Sequence, residues 1–181
     1  MSEDISTKER VVVKKFDMNM IKAGHCVVIL GKNGSGKTTL IKHILKEKSH
    51  IKAVNTMHKV YEATVIFDTI EEFGERIIVM DDCVKENKPE LHKLFIGKQY
   101  SEMLVLFASQ TDDIPLVFRN NVDFLFILDN AHLKTIYNKF HIEYMQGAAR
   151  FQELANSILG DGKHNYMVMD VSNKQFYWWS K

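Results

Sequence analysis

The chain has 181 residues, of which 45% are hydrophobic and 26% charged, the balance of one soluble globular domain with a substantial core. A formal net charge of +1 excludes a strongly basic nucleic-acid clamp, though not a local basic strip. Cys26 and Cys83 form no CxxC pair, the eight histidines lack ligand spacing, and no run approaches the ~18 apolar residues of a membrane span, so disulfide, zinc and membrane classes fall away.

Residues 1–10 are polar and charged, without the apolar core of a signal peptide, and an intracellular, reducing location is expected. Residues 10–16 (RVVVKKF) have the β-branched content of a strand. Residues 25–30 (HCVVIL) form a short apolar run suited to a strand buried on both faces. A glycine-rich loop follows, then a helix over 38–48 with Leu40, Ile41, Ile44 and Leu45 on one face and Lys42, Lys46 and Lys48 on the other. A second apolar run, 77–80, ends in Asp81-Asp82, and residues 89–98 read as a helix opened by Pro89. The run 103–108 ends in Ser109-Gln110, and the run 124–128 follows Arg119-Asn120-Asn121. Helices are expected at about 131–140 and 144–159. The segments 166–170 and 175–179, joined through Ser172-Asn173-Lys174, read as a β-hairpin. Trp178 and Trp179 then serve hairpin packing rather than base stacking.

Strands alternating with helices predict an α/β domain with a mainly parallel sheet, helices on both faces and a C-terminal β-hairpin, all within one domain spanning 1–181. In such sheets ligands lie beyond the carboxyl ends of the strands, and the polar residues that end these runs gather there.

The loop 31–38 reads GKNGSGKT, a GxxxxGKT motif with a strand before it and a helix after it. Gly31, Gly34 and Gly36 let the backbone wrap phosphates closely, so that successive N–H groups along Lys32, Asn33, Ser35 and the start of the helix, Thr38 and Thr39 included, face anionic oxygens. Lys37 supplies a mobile charge for the β- and γ-phosphates, and the Thr38 hydroxyl is a ligand for Mg²⁺. Binding and hydrolysis of ATP with Mg²⁺ is the expected chemistry.

Asp81 is the second expected magnesium contact, direct or through water, because carboxylates delivered bare to a sheet edge would repel one another. Asp82 is the candidate general base, with helix capping as its structural alternative. Gln110 is placed to hydrogen-bond the attacking water or the γ-phosphate, and a plain polar strand end is the alternative. The basic run Lys85, Lys88, His92, Lys93 and Lys98 reads as a solvated face or as a loop against a polyanion.

From the loop to Arg119 the chain resembles the poxvirus-type genome-packaging ATPases of nucleocytoplasmic large DNA viruses, within the FtsK–HerA superfamily. The matching pieces are GKNGSGKT at 31–38, IIVMDD at 77–82, LHKLFIGKQYSEMLVLFASQ at 91–110 and IPLVFRNNVDFLFIL at 114–128. The resemblance implies a RecA-like sheet whose glutamine strand lies between the loop strand and the aspartate strand. It implies a motor that moves double-stranded DNA into a capsid, acts as a homo-oligomeric ring and docks on capsid or portal-vertex proteins. It places the protein in the host cytoplasm or virus factory, with virion association as an added option. Where that family has Gly-Arg-His this chain has Gly97-Lys98-Gln99, which leaves Arg119 as the leading candidate for a cation supplied across a subunit boundary. Competing readings are a small P-loop kinase of a metabolite or nucleotide, an ABC-like ATPase subunit and a non-catalytic nucleotide-binding module. No LSGGQ-like element supports the ABC reading, and only four arginines stand against the arginine-rich lids of the kinases.

Overall fold

A computed structural model describes residues 13–49, 53–58, 76–81, 95, 102–160 and 165–180. Among the described residues eight strands make one sheet: β1 (Lys14–Lys15), β2 (Cys26–Leu30), β3 (Ala53–His58), β4 (Arg76–Asp81), β5 (Met103–Ser109), β6 (Phe124–Ile127), β7 (Asn165–Asp170) and β8 (Gln175–Ser180). Their order is β1-β8-β7-β6-β2-β5-β4-β3. The pairs from β3 through β4, β5 and β2 to β6 are all parallel, and β7 joins β6 and β8 in antiparallel fashion.

The central strands are apolar through their middles, at 26–30, 77–80, 103–108 and 124–127, because both faces are covered. Cys26, Val28, Met80, Val105 and Phe107 face one layer, while Val27, Ile29, Val79, Leu104 and Leu106 face the other. The second layer is helix α1 (Lys37–Glu47), which buries Leu40, Ile41 and Ile44. The first layer is built from α2 (Leu116–Asn121), α3 (Leu133–Lys139) and α4 (Ala148–Leu159). Within it Phe118 stacks on Phe107, ring centroids 4.3 Å apart, and Phe95 meets Phe118 edge-on. Each such pair adds roughly 0.5–1.5 kcal/mol beyond the area it buries.

The glutamine strand β5 does lie between β2 and β4, and residues 165–180 do form a hairpin. Trp179 is buried against Tyr166, as expected of hairpin packing. Other elements differ from the sequence reading. The helix expected over 144–159 is broken: a 3-10 turn spans Glu143–Met145, and α4 begins only after Gln146 and Gly147, whose φ values are 61° and 126°. Similarly, α3 starts after His132, which takes a left-handed φ of 62°. Helix α2 and edge strand β3 were not expected at all. The expected helix 89–98 lies outside the described residues apart from Phe95, and residues 10–12 and Cys83 lie outside them entirely.

Cys26 is a fully buried thiol, and burial, reinforced by the nearby Asp123 carboxylate, raises its pKa well above the ordinary value. Such a thiol stays protonated and inert. Among the described residues no helix is long and apolar enough to cross a membrane.

Candidate active site

Register brings the chemistry to one edge of the sheet. Leu30, the last residue of β2, pairs with Ser109 on one side and Ile127 on the other, and Ala108 pairs with Asp81. The glycine loop, Gln110, Asp81 and the end of β6 therefore leave the sheet at the same level. Backbone bonds lock this edge: the Gly31 N–H donates to the Ser109 carbonyl at 3.2 Å, and the Leu128 N–H donates to that of Leu30 at 2.9 Å.

Two glycines in the loop are fixed by space rather than by turn preference alone. A Cβ on Gly31 would stand 2.2 Å from Ser35 Oγ and 2.9 Å from Leu128 Cβ. Gly36 has a φ of 100°, and a Cβ there would stand 2.4 Å from the Tyr166 hydroxyl. An L side chain in left-handed backbone already costs about 1–2 kcal/mol. Gly36→Ala should therefore lower Tm by roughly 4 °C or more and weaken nucleotide binding. A thermal melt with unchanged Tm would show that Tyr166 and the loop yield at no cost.

Lys37 opens α1, and its side chain folds back under the loop, only 6% exposed. Its Nζ donates to the Gly31 carbonyl at 2.8 Å and to the Lys32 carbonyl at 3.2 Å. Lys32, Asn33 and Gly34 form the exposed rim of the loop, with Ser35 and Gly36 half-buried beneath it. Thr38 and Thr39 are exposed at the start of α1, where the helix dipole is positive.

The Thr38 hydroxyl donates to Asp81 Oδ2 at 3.1 Å. Residues 43 positions apart thus meet at the mouth of the loop. A hydroxyl and a carboxylate are hard oxygen donors, and a protein that offers only two of them suits Mg²⁺, which fills its remaining positions with phosphate oxygens and water. Among the described residues no cluster of three or more His, Cys, Asp or Glu could hold a metal by itself. The residues present fit a magnesium brought in with a nucleotide.

Gln110 follows β5 and is exposed in a crevice it shares with Gly31, Lys32, Asp112, Asp129 and His132. Asp82 and Lys98 lie outside the described residues. Arg119 sits on α2, half-buried, its Nε buried without a hydrogen-bond partner. The far end of α2 runs to Asp123, whose carboxylate accepts the Cys26 N–H at 2.8 Å. That contact lies at the start of β2, the opposite end of the strand from the glycine loop, so α2 leads away from its own chain's loop. Asn121 spends its amide on the Val117 carbonyl of the same helix.

Two site residues were missed in the sequence. Asp129 holds the Lys32 N–H at 2.5 Å and the Ala131 N–H at 2.8 Å. It ends an apolar run just as Asp81 does, and that signal could have found it. Tyr166 packs its hydroxyl under Gly36 and stacks on Trp179, and burial raises its pKa. Nothing in the hairpin sequence marks it.

The chain is similar to protein 075L of Invertebrate iridescent virus 6, with 27% identity over 74% of this chain and 70% of that one. Protein 088R of Invertebrate iridescent virus 3 is 24% identical, with 94% and 82% covered. In fold it is similar to the genome packaging NTPase B204 of Sulfolobus turreted icosahedral virus 2, solved in complex with AMPPCP. The TM-score is 0.62 at 15% identity, covering 87% of this chain and 97% of that one. The likeness to viral packaging ATPases read in the motifs therefore extends to the fold. The family model that matches, over residues 15–119, is that of novel STAND NTPase 3, so this chain belongs to the novel STAND NTPase 3 family of NTPases.

Proposed function

We propose that the protein is a Mg²⁺-dependent ATPase of the FtsK–HerA type that drives double-stranded DNA into a viral capsid, working as a homo-oligomeric ring docked on capsid or portal-vertex proteins. The observation that carries the ATPase part is the Thr38–Asp81 contact at the mouth of a loop already threaded by Lys37. The motor part is supported by the glutamine strand between the loop and aspartate strands, and by the fold shared with a genome packaging NTPase.

In this reading loop amides and Lys37 hold the β- and γ-phosphates, and Thr38 and Asp81 hold the metal. Magnesium, when bound, neutralises charge that develops on the transferring phosphoryl group. Asp82 takes a proton from the attacking water. Gln110 orients that water and loses its partner when the γ-phosphate departs, which makes the end of β5 a sensor of nucleotide state. Because Asp112 lies two residues beyond Gln110, a shift there reaches α3, whose Lys139 Nζ donates to the Asp112 carbonyl at 2.5 Å.

The test is ATPase activity with and without double-stranded DNA, alongside particle mass. The expected result is Mg²⁺-dependent hydrolysis raised by DNA, in particles that are multiples of the 21.0 kDa chain. Hydrolysis indifferent to DNA in a strict monomer would overturn the motor and leave a plain NTPase.

A further inference from the structure

Helix α1, 11 residues long, opens on Gly36, which has no side chain with which to cap it, and its first turn carries no acid. The first N–H groups of such a helix have no helical partners and draw anions. One buried polar side chain from a distant part of the chain is aimed at this end. Tyr166 stands next to the terminal register pair of β6 and β7, Ile127 with Met167, which brings it level with the phosphate loop. It lies in the same layer as α1, and its hydroxyl fills the space into which a Gly36 Cβ would project. The ring is held in place: Trp179 stacks on it with centroids 5.6 Å apart, and His43 of α1 lies against Trp179 in turn. Only 6% of the residue is exposed. A buried tyrosine usually finds a partner for its hydroxyl. Among the described residues no hydrogen bond engages this one, and burial raises its pKa, which keeps it a protonated donor.

Strand order decides which part of a nucleotide this hydroxyl meets. Asp81 on β4 and Gln110 after β5 lie on one side of β2, and Tyr166 on β7 lies on the other. The metal and the γ-phosphate belong with Asp81 and Gln110, so a triphosphate seated on the loop turns its nucleoside end toward β6 and β7. We infer that Tyr166 is a nucleotide-binding residue whose hydroxyl donates to the α-phosphate. The inference deepens the nucleotide-site reading of the loop and rests on it. A hydroxyl donating to an anionic oxygen makes a charge-assisted bond. Because the ring is already fixed by Trp179, little ordering is spent when that bond forms.

The experiment uses the full chain as wild type and as Tyr166→Phe, which keeps the ring and its stack on Trp179. Binding of a non-hydrolysable ATP analogue is measured by calorimetry at fixed Mg²⁺, and binding of inorganic pyrophosphate by its displacement of that analogue. A thermal melt accompanies both. Tyr166→Phe should bind the analogue about tenfold more weakly, the scale of one hydrogen bond to a charged group. Pyrophosphate fills the β and γ positions alone, so its affinity should stay within about twofold of wild type. Tm should not fall, since no hydrogen bond within the protein is removed. Analogue affinity within about twofold of wild type overturns the assignment. An equal loss for pyrophosphate, or a fall in Tm, also overturns it, because the hydroxyl would then serve the loop or the fold. Failure of the wild type to bind the analogue sinks the nucleotide site and this inference with it. A wild type that binds normally beside an unaffected Tyr166→Phe sinks the inference alone.

Discussion

Replacing Lys37 with alanine should abolish tight ATP binding, raising Kd at least ~100-fold, while the protein keeps its fold. A hydrogen bond from a charged donor is worth ~1.5–3 kcal/mol, and ~2.7 kcal/mol is a hundredfold. Within the loop no other cation can take over. Lys32, the one other lysine of the loop, is exposed on the rim, whereas Lys37 Nζ lies beneath it on the Gly31 and Lys32 carbonyls. The fold should persist because α1 is anchored by Leu40, Ile41 and Ile44, one turn and more beyond the substituted residue. Those side chains pack on Val27, Ile29 and Leu106 with no help from the ammonium. Calorimetry at equal Mg²⁺ decides the matter, with a thermal melt as the control. Unchanged affinity would remove Lys37 from the site.

What could be read from the residues, and what could not, follows from burial. Strands β2, β4 and β5 carry apolar side chains to both faces, so each shows as an unbroken run that needs no partner to be recognised. Among the described residues strand β3 (AVNTMH) is the edge of the sheet, beside β4, and carries Asn55 and Thr56, so no run marks it. Helix α2 is six residues long, too short to show a period, and is set by Pro115 before it and by Phe118 packing on Phe107. The start of α4 turned on backbone geometry at Gln146 and Gly147, which a periodicity of apolar residues does not register. At the site, spacing within 31–38 was enough to name the loop. The meeting of Thr38 with Asp81 depended on strand order, and that order came from resemblance, since composition gives no means of placing β5 between β2 and β4. Tyr166 is the clearest loss. It reaches Gly36 from a hairpin strand that enters the sheet on the far side of β6.

Arg119→Ala should reduce ATP turnover by ~10³-fold if Arg119 stabilises the phosphoryl group of a neighbouring subunit, the scale set by known arginine fingers. Its place in the chain suits a role in trans better than one in cis. Helix α2 departs from the glutamine loop and ends by Asp123, at the sheet edge opposite its own phosphate loop. The guanidinium is half-buried with Nε unpaired, so the residue is also exposed to a competing account in which it only supports α2. Mixing separates the two. Lys37→Ala and Arg119→Ala subunits are each expected to be inactive alone. In rings shown by mass to contain both, some interfaces join an intact loop to an intact arginine, and those should recover part of the ATPase activity. A purely structural arginine gives a different result, because a subunit damaged in α2 cannot be repaired by its neighbour's side chain. No recovery in verified mixed rings would reject Arg119 as the trans-acting cation. The same mixture made with Lys98→Ala would then ask whether the lysine standing where the packaging ATPases have arginine has kept that part, and recovery there with none for Arg119 would move the assignment to Lys98.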